Sequence, residues 1–103
     1  MEIKLTPEAH NDILGIYEYV KKDGGQIARE QVTYIYEGIE NLSSFPNIGT
    51  ALQKFVERST PLRYLVIHKV YIVIYNVSDA VEIIRVFRKD QDFISILGIA
   101  NDE

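Results

Sequence analysis

A chain of 103 residues, 47% of them hydrophobic and with a formal net charge of −4, is the size of a single domain (residues 1–103) with one core. No apolar run approaches a membrane span and no basic-then-apolar leader opens the chain, so the expectation is a soluble, cytoplasmic protein with no membrane partner. The absence of cysteine excludes a disulfide framework and a thiolate zinc site, and the acidic balance argues against indiscriminate nucleic-acid binding.

Glu2 to Leu5 alternate in the manner of a short edge strand. Thr6-Pro7-Glu8 is a helix start with a physical reason: a hydroxyl N-cap, proline at the first helical position, and a carboxylate favoured by the helix dipole. Ala9, Ile13, Ile16 and Val20 then recur at helical steps and mark one buried face. Asp23-Gly24-Gly25 ends that helix. A second helix carries Ala28, Val32, Ile35, Ile39 and Leu42 at the same spacing, and so short a break forces the two into an antiparallel hairpin. Phe45-Pro46-Asn47-Ile48-Gly49 stops the second helix, and residues 50–61 read as a loop.

Three apolar runs follow. Leu62 to Ile67, Tyr71 to Val77 and Val81 to Phe87 are rich in β-branched and aromatic residues, and short polar breaks, His68-Lys69 and Ser78-Asp79, separate them. They predict a three-strand antiparallel meander. The middle run is apolar at nearly every position, so both of its faces must be buried. After a polar turn, Phe93, Ile96 and Leu97 suit one amphipathic turn. The order β-α-α-β-β-β is that of an α+β domain, with a helical hairpin packed on one face of a small antiparallel sheet.

Charge is unevenly placed. Residues 1–50 balance at −4, whereas Lys54, Arg58, Arg63, Lys69, Arg85, Arg88 and Lys89 outweigh Glu57, Asp79 and Glu82 to give residues 51–89 a balance of +4. Asp90, Asp92, Asp102 and Glu103 make the tail acidic again. A basic sheet region on an acidic protein suits a local anionic partner, and a solvated mixed surface is the alternative.

The ordered set of Arg63, Tyr71, Tyr75-Asn76-Val77 and Ile84-Arg85-Val86, placed after a helical hairpin, resembles the RelE/ParE family of toxins from type II toxin–antitoxin systems. The likeness covers almost the whole chain and is closer to ParE-like members. It implies a toxin that inhibits growth by binding DNA gyrase and is neutralised by a cognate antitoxin, with no cofactor. The alternative it implies is a RelE-like, ribosome-dependent mRNA endonuclease, or a member that has lost toxicity. RelE-like and YoeB-like nucleases usually place an arginine three residues before the tyrosine of the central strand. Here that residue is Ile72, which cannot stabilise a phosphorane. Arg88 and Lys89 stand where a tail histidine is common, and Phe93 stands near the usual tyrosine. Were the chain a nuclease acting on the ribosome and mRNA, Arg63, Arg88 and Lys89 would be the catalytic candidates.

For target binding the candidates are Arg63, Arg85, Arg88, Lys89, Lys54 and Arg58, provided they converge on one rim of the sheet. Arg63 and Arg85 lie inside apolar strands, where an arginine is costly unless paired. The competing expectation is that they reach a carboxylate such as Glu57 or Glu82 or extend to the edge. His10 and His68 are too far apart in sequence, with no ligand pattern near either, to suggest a metal site. Gly24-Gly25 lacks the spacing of a phosphate loop. Tyr34 and Tyr36 read as packing residues. An apolar sheet face left open by the hairpin calls for a cover; the resemblance implies a disordered antitoxin segment, which the basic balance of residues 51–89 suggests is acidic, and the alternative is a second copy forming a homodimer.

Overall fold

The computed structural model describes residues 1–98; Asp102 and Glu103 of the acidic tail lie outside them. Thr6 does what its position predicts. Its hydroxyl accepts from the Ala9 N–H at 3.0 Å, capping helix α1 (Pro7–Val20), and donates to the Ile84 carbonyl at 2.8 Å. The cap therefore also fixes where the helix meets the sheet. Strand β1 (Ile3–Leu5) precedes it, and a 3₁₀ turn over Lys21–Asp23 leads into α2 (Gly25–Asn41). Gly24, at φ 131°, supplies the backbone conformation that reverses the chain.

Ala9, Ile13 and Ile16 of α1 and Ala28, Ile35 and Ile39 of α2 are buried, together with Leu42 just past the second helix. Val20 and Val32 pack at the margin of the same core. The helical spacings thus identify the faces that meet the sheet.

The sheet has five strands in the order β1-β5-β4-β3-β2, with β3 at Arg63–Ile67, β4 at Tyr71–Val77 and β5 at Val81–Arg88. The meander is antiparallel as expected, but β1 pairs with β5 in parallel, through Ile3 with Val81 and Leu5 with Ile83, so the whole sheet is mixed. The hairpin spans from the β1 edge back to the opposite edge, which is what permits a parallel neighbour. Residues 50–61 are not wholly loop. Thr50–Ala51 form β2 against Tyr64 and Arg63, and Leu52–Lys54 make a 3₁₀ turn. Two paired residues are too few to show alternation, so no period marks them.

Strand β4 sits in the centre, and Tyr71 through Tyr75 are all buried. Tyr71, Val73 and Tyr75 face the hairpin with Ile67, Val81, Ile83 and Val86, whereas Ile72 and Ile74 face the other side with Leu52 and Phe87. A short helix, α3 (Phe93–Leu97), covers part of that second side through Phe93, Ile94 and Leu97. The spacing had favoured Ile96, which is instead 48% exposed. The helix is held by Asp92, whose carboxylate accepts from the Ser95 N–H, and at five residues it presents a face too narrow for periodicity to locate.

The β3–β4 turn takes positive φ at both His68 (51°) and Lys69 (60°), the primed geometry that matches strand twist, without the usual glycine. The His68 ring stacks on Tyr34 of α2 with centroids 3.9 Å apart, so Tyr34 packs as expected. Tyr71 Oη donates to Gln31 Oε1 at 2.7 Å, tying β4 to the same helix. Burial pushes the Tyr71 phenol above its ordinary pKa, and the Arg88 charge opposes this.

Replacing Thr6 by Ala removes both the cap and the bond to β5. Urea unfolding should show a loss of about 1–2 kcal/mol without a change in m-value. An unchanged midpoint would mean that the cap does not couple helix to sheet.

Candidate functional site

Strand β1 ends opposite Ile83, so β5 from Ile84 onward would expose an unpaired edge. Helix α1 runs along that edge and supplies side chains to it. The Thr6 hydroxyl takes the Ile84 carbonyl, and Asp12 Oδ2 accepts the Val86 N–H at 2.9 Å. The same carboxylate binds Arg85 in a fork, Nε to Oδ2 at 2.7 Å and Nη2 to Oδ1 at 2.9 Å. A register shift in the β4–β5 pairing lies beside this point, with Ile74 opposite Arg85 and Tyr75 opposite Ile83. The hydrogen bond to Asp12 raises the Arg85 pKa and outweighs burial; the charges of Asp12 and Glu8 add to it.

The partner of Arg85 is therefore Asp12, not Glu57 or Glu82. Glu82 lies opposite Lys4 and Asn76 on the strands, two residues before the open edge begins. A signal was available in the sequence: Asp12 adjoins Ile13 on the buried seam of a helix, where a carboxylate needs a partner.

Arg63 is held differently. Its Nη2 donates to the carbonyls of Asn47 at 3.1 Å and Gly49 at 3.0 Å, and its Nε is buried without a hydrogen-bond partner. No carboxylate is among these contacts; the turn after α2 provides carbonyls instead. The Gly49 N–H donates to the hydroxyl of Tyr75 at 2.9 Å, inside the core. A Cβ at Gly49 would lie 2.5 Å from both the Tyr64 carbonyl and the Tyr75 hydroxyl, so only glycine fits.

Arg63 and Arg85 thus serve opposite edges of the sheet, and the other candidates make separate contacts of their own. Arg88 lies on the hairpin side, with its guanidinium 4.4 Å from the Tyr19 ring centre and its Nε 3.3 Å from Asp90. Lys89 lines a cavity on the opposite face. Arg58 donates to the Gly98 carbonyl at 3.0 Å, and Lys54 closes the 3₁₀ turn beside Phe55. Arg88 and Lys89, adjacent in sequence, thus lie on opposite sides of the sheet.

That cavity is a trough of about 390 Å³ lined by Leu52, Phe55, Tyr64, Ile72, Lys89, Phe93 and Ile94. Aromatic rings run across it, Phe55 to Tyr64 at 5.9 Å and Tyr64 to Phe93 at 6.3 Å, continuing to Phe87 at 6.2 Å from Phe93. Ile72, only 6% exposed, is part of its lining. Among the described residues, Lys89 is the one charged residue of its lining. Such a lining can bury apolar side chains of a ligand, and its described residues include no carboxylate or imidazole for proton transfer. Among the described residues no group of three or more His, Cys, Asp or Glu could hold a metal ion, and no helix is long and apolar enough to cross a membrane. Another cleft, of about 290 Å³, lies between α2 and β3, from Tyr34 and Gly38 to Ile48 and Val66, and one of about 360 Å³ is lined by Phe45, Pro46, Asn47 and Ile48.

Two sets of variants test these anchors. Asp12→Ala leaves Arg85 and the Val86 N–H without their acceptor and should cost about 1–3 kcal/mol; adding Arg85→Met should recover part of that loss, whereas strictly additive losses would deny the coupling. Arg63→Ala and Gly49→Ala should each destabilise the turn after α2, the glycine change by about 1–3 kcal/mol through overpacking. Amide exchange should accelerate at Gly49 in both, and unaltered exchange would remove Arg63 from this role.

The comparisons agree with the geometry. Residues 3–93 match the family model described as ParE toxin of type II toxin–antitoxin system, parDE. Among solved structures, the fold is similar to a chain from "Chromosomal ParDE TA system from P. aeruginosa", with a TM-score of 0.70 and 24% identity, covering 85% of this chain and 95% of that one. No curated protein matches. With the family model spanning nearly all the described residues, the chain belongs to the ParE toxins of type II toxin–antitoxin systems.

Proposed function

We propose that this toxin arrests growth by binding DNA gyrase, and that a cognate antitoxin neutralises it in the cytoplasm. The observation that carries the reading is the trough. Ile72 stands where a ribosome-dependent nuclease would need an arginine, and it is buried among Leu52, Ile74 and Phe87. RNA cleavage requires cations on the scissile phosphate and a group to take the 2′-hydroxyl proton. Arg63 is occupied by loop carbonyls and Arg88 by Asp90 and Tyr19, which leaves Lys89 as the candidate cation among the described residues lining the trough. A toxin with this surface works by occupying a protein, not by cutting RNA.

The antitoxin reading follows from the same surface. A concave apolar trough with Lys89 in its wall, and Lys54 and Arg58 in the segment beside it, suits an acidic, amphipathic segment that orders on binding. Association should be fast and weaken with salt.

Induced alone, the toxin should inhibit supercoiling by purified gyrase and cause filamentation with DNA-damage signalling, while mRNA stays intact at first. Co-expression with the product of a small neighbouring gene should restore growth and give a 1:1 unit. Rapid A-site cleavage in a purified ribosome assay would overturn the gyrase reading. A culture unaffected by the toxin alone would mark a member that has lost toxicity.

A further inference from the structure

One side chain holds together the loop of residues 52–60. Gln53 Nε2 donates to the carbonyls of Val56 and Arg58, both at 3.1 Å, and its Oε1 accepts from the Thr60 N–H at 2.8 Å. Only one orientation of the amide satisfies all three partners. The Thr60 hydroxyl in turn accepts from the Leu62 N–H at 3.2 Å, which secures the exit of the loop toward β3. Leu52 and Val56 are buried, whereas Phe55 between them is 60% exposed.

Phe55 stands at the outer end of the aromatic row that crosses the trough. At the inner end Phe87 is 1% exposed, so the row leads from the core out to solvent. Across from the loop, Phe93 and Ile94 of α3 form the other wall. Arg58 ties the two walls together by donating to the Gly98 carbonyl, just past α3, at 3.0 Å. The trough is therefore a groove whose walls are ordered on folding. Their conformational entropy has been lost before a partner arrives, which is how preorganisation strengthens binding.

We propose that the loop held by Gln53 is a fixed lip of the trough, and that Phe55 on it closes over apolar side chains of an acidic, amphipathic antitoxin segment seated there. The occupant follows from what the groove offers. Two projecting walls admit a single helix or strand and exclude the broad surface of a folded domain. The floor is apolar, and Lys54 on the lip and Lys89 in the lining favour carboxylates at its margin. Glu57 lies on the same lip, and with Arg58 counted the balance stays positive. A nucleic acid would need several cations along its backbone, and among the described residues of the lining only Lys89 is charged. Phe55 is the contact residue, an aromatic at a pocket wall of the kind on which binding energy concentrates. Gln53 is a positioning residue that acts through it.

This inference rests on the reading of the chain as a toxin neutralised by an antitoxin, and calorimetry with the purified product of the neighbouring gene separates the two. Phe55→Ser changes one exposed side chain, so its thermal midpoint should stay within a few degrees of wild type. Its affinity for that product should fall at least about tenfold. Gln53→Ala should accelerate amide exchange at Thr60 and weaken binding in the same direction. In the Phe55→Ser background it should weaken binding no further, because the lip then has no ring to position. Undiminished affinity of the folded Phe55→Ser variant overturns the lip and leaves the antitoxin reading intact, as do strictly additive losses. A variant that loses inhibition of gyrase, or dissociates a wild-type dimer, while binding the antitoxin normally also overturns it by giving the trough to another occupant. A wild-type toxin that binds no product of the neighbouring gene overturns both readings.

Discussion

A strand buried on both faces needs cover on both sides, and the seven residues of β4 impose that demand on the rest of the chain. Its hairpin-facing residues, Tyr71, Val73 and Tyr75, lie under α1 and α2. Ile72 and Ile74 face the other way, where the available cover is Leu52, Phe87 and the five-residue helix α3 with its neighbours. Among the described residues, fourteen- and seventeen-residue helices on one side against five residues on the other leave the second side incompletely closed. The aromatic trough is the consequence. It is less a pocket carved for a ligand than the remainder of a core whose second cover is too small, and burial of its apolar lining would supply the driving force for whatever fills it.

The polar contacts at the sheet edges solve a related problem. Parallel pairing with β1 protects only the first part of β5, and a helix running alongside cannot offer backbone groups to the remainder. Thr6 and Asp12 substitute side-chain oxygens for the missing strand. Arg85 then neutralises the charge that Asp12 brings toward the interior. At the opposite edge β2 is two residues long, and Arg63 completes the closure by gathering the carbonyls of the turn that precedes it. In both places an arginine inside an apolar strand makes its principal contacts within the chain, one through a carboxylate and one through backbone carbonyls.

Much of the fold was legible because it rests on long periodic signals. The helical seams from Ala9 to Val20 and Ala28 to Leu42, the three-run meander, and the doubly buried centre all follow from hydrophobic spacing. The features that escaped are short or depend on tertiary proximity. Thr50–Ala51 is too brief to alternate, the parallel β1–β5 pairing joins segments nearly eighty residues apart, and a five-residue helix cannot reveal by spacing that Ile94, not Ile96, turns inward. The arginine partners were missed for a clearer reason. Charge counting by sequence neighbourhood favoured Glu57 and Glu82, whereas the partner of Arg85 lies across the fold on α1, marked only by its position next to a buried isoleucine. The side taken by Arg85 was also hidden, because the β-bulge near Ile84 interrupts the alternation by which sides are counted along β5.

Two apolar surfaces, the turn at Phe45 and Ile48 and the trough, are joined by a very short length of chain. From Ile48, the path runs through Gly49, which is locked against Tyr75, and the two residues of β2, and reaches Leu52 in the lining of the trough. Leu52 is fully buried, and its N–H is bonded to the Leu62 carbonyl. A displacement of Leu52 therefore cannot be absorbed within a flexible linker; it must be taken up by β2 or resisted by Arg63. Close-packed segments of this kind respond by shifting between discrete arrangements rather than by bending gradually. The same bonds that order the turn at Phe45 and Ile48 thus also fix the entry of β2 beside the trough, so the two surfaces are built on one shared, tightly held segment.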